Sequence, residues 1–144
     1  MLMRVDFYLL PTDSSDDKDL FICRLLEKIY HRHHEVFVAC DTQQEAHVLD
    51  ELLWTFKPES FIPHNLQHEG PDIPPPIQFG YDAKPPARFN DILLNLQPQV
   101  PDFYARFKRI IEIVPNDASA KDLSRQRFRW HRAKQHQIQT HTIE

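Results

Sequence analysis

The sequence predicts an α/β domain with a mainly parallel sheet and helices on both of its faces. Three observations carry that reading. Short runs dense in β-branched and aromatic residues, such as Val36-Phe37-Val38-Ala39-Cys40 and Ile110 to Val114, have the length and composition of buried strands. Between such runs lie stretches whose apolar residues recur at helical spacing, as in Leu20 to Tyr30 and Ala46 to Leu53. The two patterns alternate, and strands that run the same way need a crossover between them, which a helix supplies. The chain of 144 residues shows no internal repeat and is long enough to bury one core. It is therefore expected to form a single Rossmann-like, three-layer domain over residues 1–144.

Taken in order, residues 3–10 (MRVDFYLL) form the first strand, closed by Pro11. Thr12-Asp13-Ser14-Ser15 is a loop with several capping candidates. The helix that follows carries Leu20, Ile22, Cys23, Leu25, Leu26, Ile29 and Tyr30 and ends at His31-Arg32-His33-His34, where positive charge suits the helix dipole. After the strand at Val36 to Cys40, Asp41 or Thr42 caps a second helix, and Glu45 completes a capping-box pattern with Thr42. Trp54 stands at the end of that helix and Pro58 stops it. Ser60 to Asn65 leads away as an extended segment. From Leu66 to Arg88 six prolines and both glycines of the chain interrupt the pattern, with Ile77 to Tyr81 alternating as a strand would. Asp91 to Leu96 is a strand, Pro101 to Phe107 suits one or two helical turns, and Ile110 to Val114 is the last strand. Asn116 or Asp117 caps a final helix that runs to about Lys134. Residues 135–144 have little apolar content and read as a partly flexible tail.

Composition narrows the function. A net charge of −4 is not that of a nucleic-acid binder. The first turn region is acidic, with Asp13, Asp16, Asp17 and Asp19, whereas residues 121–134 carry six Lys and Arg against one Asp. Cys23 and Cys40 form no CxxC pair and read as buried thiols of a reducing cytoplasm. The N-terminus lacks an apolar signal core, and no window approaches the roughly 20 apolar residues of a membrane span.

The Rossmann-like layout raises nucleotide binding, and the turns argue against it. A phosphate cradle needs glycines so that backbone N–H groups can approach the ligand, and neither Leu10-Pro11-Thr12-Asp13 nor Cys40-Asp41-Thr42-Gln43 has one. No cofactor is expected. The nine histidines include no HExxH and no zinc spacing, so no metal is expected either. Ser60, His64 and Glu69 could be imagined as a triad, but the GxSxG turn is absent and Ser60 reads as a turn residue. No catalytic residue is assigned.

What remains are two binding surfaces. Trp54, Phe56, Phe61 and Pro63 crowd the exit of the second helix beside His64. Aromatics at such an exit are often core, but this density, and the enrichment of tryptophan at interface hot spots, also fits a partner site. The second surface is the last helix. At about 100° per residue, Lys121, Arg125, Phe128 and Arg132 fall on one stripe, while Leu123 and Trp130 fall on the far side and could face the core. An aromatic ringed by cations suits an acidic peptide that ends in an aromatic residue and a free carboxylate. Single-stranded nucleic acid would suit it by stacking and charge, which the acidic net charge disfavours.

Several segments then resemble a known family. They are Phe7-Tyr8-Leu9-Leu10, Val38-Ala39-Cys40-Asp41, Leu49-Asp50-Glu51 with Leu53-Trp54, Glu59-Ser60-Phe61-Ile62-Pro63-His64-Asn65-Leu66 with Glu69-Gly70-Pro71, Asp91-Ile92-Leu93, and the stretch from Val114-Pro115 to Arg132. Together they resemble the chi subunits of bacterial DNA polymerase III holoenzyme, over nearly the whole chain. The resemblance implies a Rossmann-like fold without a nucleotide site and a non-catalytic bridge in replication. It implies that Trp54, Phe61, Pro63 and His64 bind the psi subunit of the clamp loader, or in some relatives a helicase-like repair protein. It implies that Val114, Lys121, Arg125, Phe128 and Thr140 bind the acidic C-terminal tail of single-stranded DNA-binding protein (SSB), with Phe128 where relatives often carry tyrosine. Nucleic acid would be met only indirectly.

Overall fold

The computed structural model describes residues 3–82 and 84–144. Seven strands build one sheet: β1 (Arg4–Leu9), β2 (Val36–Ala39), β3 (His64–Leu66), β4 (Ile77–Gly80), β5 (Ile92–Asn95), β6 (Arg109–Val114) and β7 (Gln137–Thr142). Their order across the sheet is β3-β4-β2-β5-β6-β1-β7, and every neighbouring pair is parallel. Three helices, α1 (Ser15–His31), α2 (Gln43–Thr55) and α3 (Ala118–Ala133), and a short 3₁₀ turn (Asp102–Arg106) join them.

Strand alternation divides the interior into two cores. Along β2, Val36 and Val38 enter the core under α1 and α2, whereas Phe37 and Ala39 enter the opposite core. The first core adds Ile22 and Leu26 of α1, Leu49 and Leu53 of α2, and Ile111 of β6. The second gathers Val5, Phe7, Leu93, Ile110 and Val114 from the strands with Phe89 and Phe107 from connecting loops, and Phe128 of α3 packs against it. Strands buried on both faces need continuous apolar runs, which is why β2, β5 and β6 are plain in the sequence.

Each helix begins where a side chain accepts a free backbone N–H. Ser14 caps α1 by accepting from Asp17 N, Thr42 caps α2 by accepting from Glu45 N at 3.1 Å, and Asp117 caps α3 by accepting from Ala120 N at 2.9 Å. Glu45 closes the box on the N–H of Asp41 rather than that of Thr42. At the other end of α1, His33 turns back in the left-handed region at φ 66°.

Two segments differ from the reading of the sequence. The extended segment at Ser60 to Asn65 is irregular until His64, and the strand there is His64–Leu66. Residues 135–144, expected as a partly flexible tail, contain β7, which pairs along β1 from Arg4↔Gln137 to Leu9↔Thr142. An edge strand bonded on one side needs little apolar content. Ile138 packs on the second core, and His141 is fixed by stacking on Tyr8 at 4.7 Å and by a 2.8 Å bond to Asp6.

Candidate functional site

The end of α2 and the segment that follows it build an apolar corner. Leu53 is buried, so the next residue, Trp54, swings outward and is 43% exposed. The strap from Lys57 to Pro63 is tied to α1 at one point: Ser60 Oγ donates to Glu27 Oε2 at 2.6 Å and Lys57 Nζ lies 3.4 Å from the same oxygen. The Ser60 bond, joined by the Lys57 charge, holds the Glu27 carboxyl below the usual carboxylate range. Ile62 then plugs into the core, which turns its neighbour Phe61 to solvent at 71% exposure. Phe61 leans on Trp54 at 5.7 Å between ring centres, and Trp54 lies on His64 at 3.9 Å. His64 is buried, with Nδ1 against the carbonyl of Ile62 (2.6 Å) and Nε2 against that of Asp50 (2.9 Å). Nε2 thus ties the loop to α2, Nδ1 closes a turn within the loop itself, and the ring is a floor for Trp54. Pro63 is half-buried beside it. Ser60 faces Glu27 rather than His64, so the triad imagined from Ser60, His64 and Glu69 is not assembled.

The second expected site lies on the other face. Val114 closes β6 and is buried, and Thr140 sits in β7 opposite Phe7 of β1. Phe128 packs on the same Phe7 ring at 5.5 Å. Lys121 and Arg125 are exposed on α3, two turns and one turn before Phe128 respectively. The fold therefore gathers Val114, Phe128 and Thr140 around Phe7, with the two cations along the helix above them. Arg125 bonds Asp122 at 2.7 Å, but both side chains are more than half exposed and such a pair contributes little.

The rotational setting of α3 departs from the reading of the sequence. Phe128 was expected to stand exposed within the cationic stripe, and Leu123 and Trp130 to face the core. Instead Ser124, Arg127 and His131 are the buried residues of α3, Phe128 is half-buried, and Leu123 and Trp130 flank the contact. Trp130 packs edge-on against Tyr104 of the 3₁₀ turn at 4.7 Å. The cause is a fully buried acid. Glu112 of β6 takes Arg127 Nε at 2.9 Å on one oxygen and lies 3.4 Å from His131 Nε2 with the other. A charge buried that deeply demands a partner, and α3 turns its polar side inward to provide one.

A profile of the family described as DNA polymerase III chi subunit, HolC, matches residues 2–139. The chain belongs to that family. It is 32% identical to DNA polymerase III subunit chi of Pseudomonas aeruginosa over 142 residues, which cover 99% of this chain and 98% of the relative. The corresponding subunits of Haemophilus influenzae and Escherichia coli are 33% and 32% identical, with 90% and 94% of this chain covered and 90% and 95% of those relatives.

Two polar clusters of this chi-family chain were missed because each looks unremarkable in sequence. Glu112 sits inside the apolar run of β6 and gains meaning only when Arg127, His131 and Asn95 are brought to it. Asp6 sits likewise inside β1, fully buried, with Arg109 Nε at 2.7 Å, His141 Nε2 at 2.8 Å and Arg4 Nε at 3.0 Å. Burial alone would raise its pKa, but the bonds from His141, Arg109 and Arg4 outweigh burial and hold the carboxyl below its ordinary value. The only available signal is an acid within an apolar strand run. Cys23 and Cys40 are free and buried, and burial pushes the Cys23 thiol up to about 12 and Cys40 higher still.

The crevice outside the carboxyl ends of β5 and β6 is where open α/β sheets hold their ligands. Here it has a volume of about 170 Å³ and is lined by Lys18, Asn95, Gln97 and Arg127 among others. That is below the roughly 300 Å³ at which drug-sized ligand sites begin. Among the described residues no group of three or more His, Cys, Asp and Glu side chains could hold a metal ion. No described helix is long and apolar enough to cross a membrane.

Proposed function

We propose that this chain is a non-catalytic DNA replication accessory subunit that joins the psi subunit of the clamp loader to the acidic C-terminal tail of SSB in the cytoplasm, without cofactor or metal. The observation that carries the reading is the corner of Trp54 and Phe61. A loop anchored by Ile62, Ser60 and His64 holds two large adjoining aromatics in solvent, apolar area that folding leaves unburied and a partner can cover. Psi seats on Trp54, Phe61, Pro63 and His64. The SSB tail seats on α3, with its carboxylates toward Lys121 and Arg125 and its terminal aromatic residue in the contact of Phe128 with Val114 and Thr140. Family membership supports both assignments, and the two surfaces lie on opposite faces of the sheet, so one domain can hold both partners. Two modest contacts linked through one rigid body raise the effective concentration of polymerase at SSB-coated DNA.

Calorimetry with an SSB-tail peptide tests the tail site. Arg125→Ala is expected to weaken binding about tenfold, the loss of one charge-assisted contact, and added salt weakens it further. Unchanged affinity in Arg125→Ala rejects the site. Trp54→Ala is expected to abolish co-purification with psi and leave the peptide affinity unaltered. A helicase-like repair protein in place of psi would use the same corner and be lost with the same variant. An oligonucleotide that binds tightly in the absence of SSB would favour a direct single-strand binder.

A further inference from the structure

Beside the aromatic corner, α1 and α2 leave between them a groove of about 630 Å³. Its floor is apolar: Leu20 of α1 with Val48 and Leu52 of α2. Val48 follows the fully buried Ala46 by two residues, which turns it to the outer side of α2, where it is 45% exposed. The rim is acidic: Asp16 and Asp19 on α1, Glu51 on α2. None of these three carboxylates makes a salt bridge among the described residues; Lys18 reaches Glu45 instead at 3.4 Å, and His47 lines the groove beside Glu51. Burial, and then the nearby charges of Glu45 and Asp16, push the Asp19 carboxyl up against the pull of Lys18. An apolar floor edged by carboxylates that make no salt bridge is poorly matched by an acidic segment. It is well served by a helix with an apolar face edged by Lys or Arg, which fills the floor and neutralises the rim together. The groove borders the corner along α2, although Trp54 and Phe61 do not themselves line it. Glu51 and Thr55 line it, and Trp54 lies between them on the adjoining side of α2.

We propose that the α1–α2 groove docks a basic amphipathic helix of the partner that covers Trp54 and Phe61. This rests on reading the corner as a protein-binding surface, and it adds a second, charge-selective subsite to it. The selectivity is opposite to that of α3, where the exposed cations favour an acidic partner. One domain would thus sort its two partners by the sign of their charge.

The test uses the full chain and two synthetic helical peptides of roughly four turns, one with leucines on one face and lysines at its edges, the other with glutamates in place of the lysines. Affinity is read by fluorescence anisotropy, and the contact is located by amide hydrogen exchange. The lysine peptide is expected to bind and to protect α1 and α2, and the glutamate peptide to leave both unprotected. Val48→Asp and the double variant Asp19→Asn/Glu51→Gln are each expected to weaken the lysine peptide about tenfold or more, by placing a charge in the apolar contact or by removing the attraction. Trp54→Ala is expected to change it less than about twofold, since the model peptide does not reach the corner. The proposal is overturned if the lysine peptide fails to bind, binds without protecting α1 and α2, or is indifferent to both groove variants. Loss of psi in Trp54→Ala with no effect of the groove variants on the lysine peptide would keep the corner and reject the groove.

Discussion

Helices α2 and α3 start alike and end differently. Both are capped by a side chain that accepts the N–H three residues on, and both lie on a face of the sheet. Helix α2 buries Ala46, Leu49 and Leu53, whereas α3 buries Ser124, Arg127 and His131. The setting of α2 follows from its own apolar stripe. The setting of α3 follows from Glu112, a residue on the strand beneath it. Local pattern determines orientation only where the partner surface is apolar. Where that surface carries a buried charge, the charge decides, and the helix turns polar groups inward while keeping Lys121, Arg125 and Arg132 in solvent.

The sharpest way to break this contrast is to remove Glu112. Glu112→Ala leaves Arg127 and His131 buried without their acid and is expected to cost about 3–5 kcal/mol in denaturant unfolding. Leu49→Ala, its counterpart under α2, is expected to cost somewhat less, about 2–4 kcal/mol, by leaving a cavity. Replacing Glu112, Arg127 and His131 together by apolar residues of similar volume should recover most of the loss if the network fixes orientation and adds little net stability. A triple variant as unstable as Glu112→Ala would show that the network contributes stability beyond setting the helix.

Acid titration separates the two faces next. Asp6, on the α1 and α2 side, has a folded pKa below its ordinary 3.8, so it contributes stability above that pH and loses it as pH falls through the lower folded value. His136, beside His131 at the end of α3, has its pKa lowered from 6.5 by burial and then by the charges of His131 and Lys134. The unfolded chain therefore binds that proton more readily, and stability declines as pH falls below 6.5. Stability against pH is expected to drop in two steps. Asp6→Asn should flatten the step below 3.8, and His136→Gln should flatten the one below 6.5. A single step unaffected by either variant would contradict the assignment. The smallest effects belong to the caps. Thr42→Ala and Asp117→Ala should each cost about 1 kcal/mol, because the two helix starts are built alike even though their faces are not.

Legibility in the sequence follows the same division. β1, β2, β5 and β6 were readable because strands buried on both faces are written in apolar residues, and Thr42 with Glu45 was readable because a capping box is local. β7 was not, since an edge strand of Gln, Thr and His is stabilised by its ladder to β1 and by His141 on Tyr8 and Asp6, all contacts more than a hundred residues away in sequence. The exposed pair of Trp54 and Phe61 could be suspected but not separated from core, because what turns them outward is the burial of their neighbours Leu53 and Ile62. Of the positions around Phe7, Val114 and Thr140 came from family resemblance alone, whereas Phe128 stood out on the helical stripe of Lys121 and Arg125. The place of Phe128 on α3 depends on Glu112, which no periodicity reveals.

The central claim is that two surfaces on opposite faces of one domain act independently, and titration of the SSB-tail peptide into the chain, alone and saturated with psi, tests it most directly. The account predicts the same affinity within about twofold in both titrations, as expected for distant sites with no shared contacts. A tail peptide that psi displaces would contradict it.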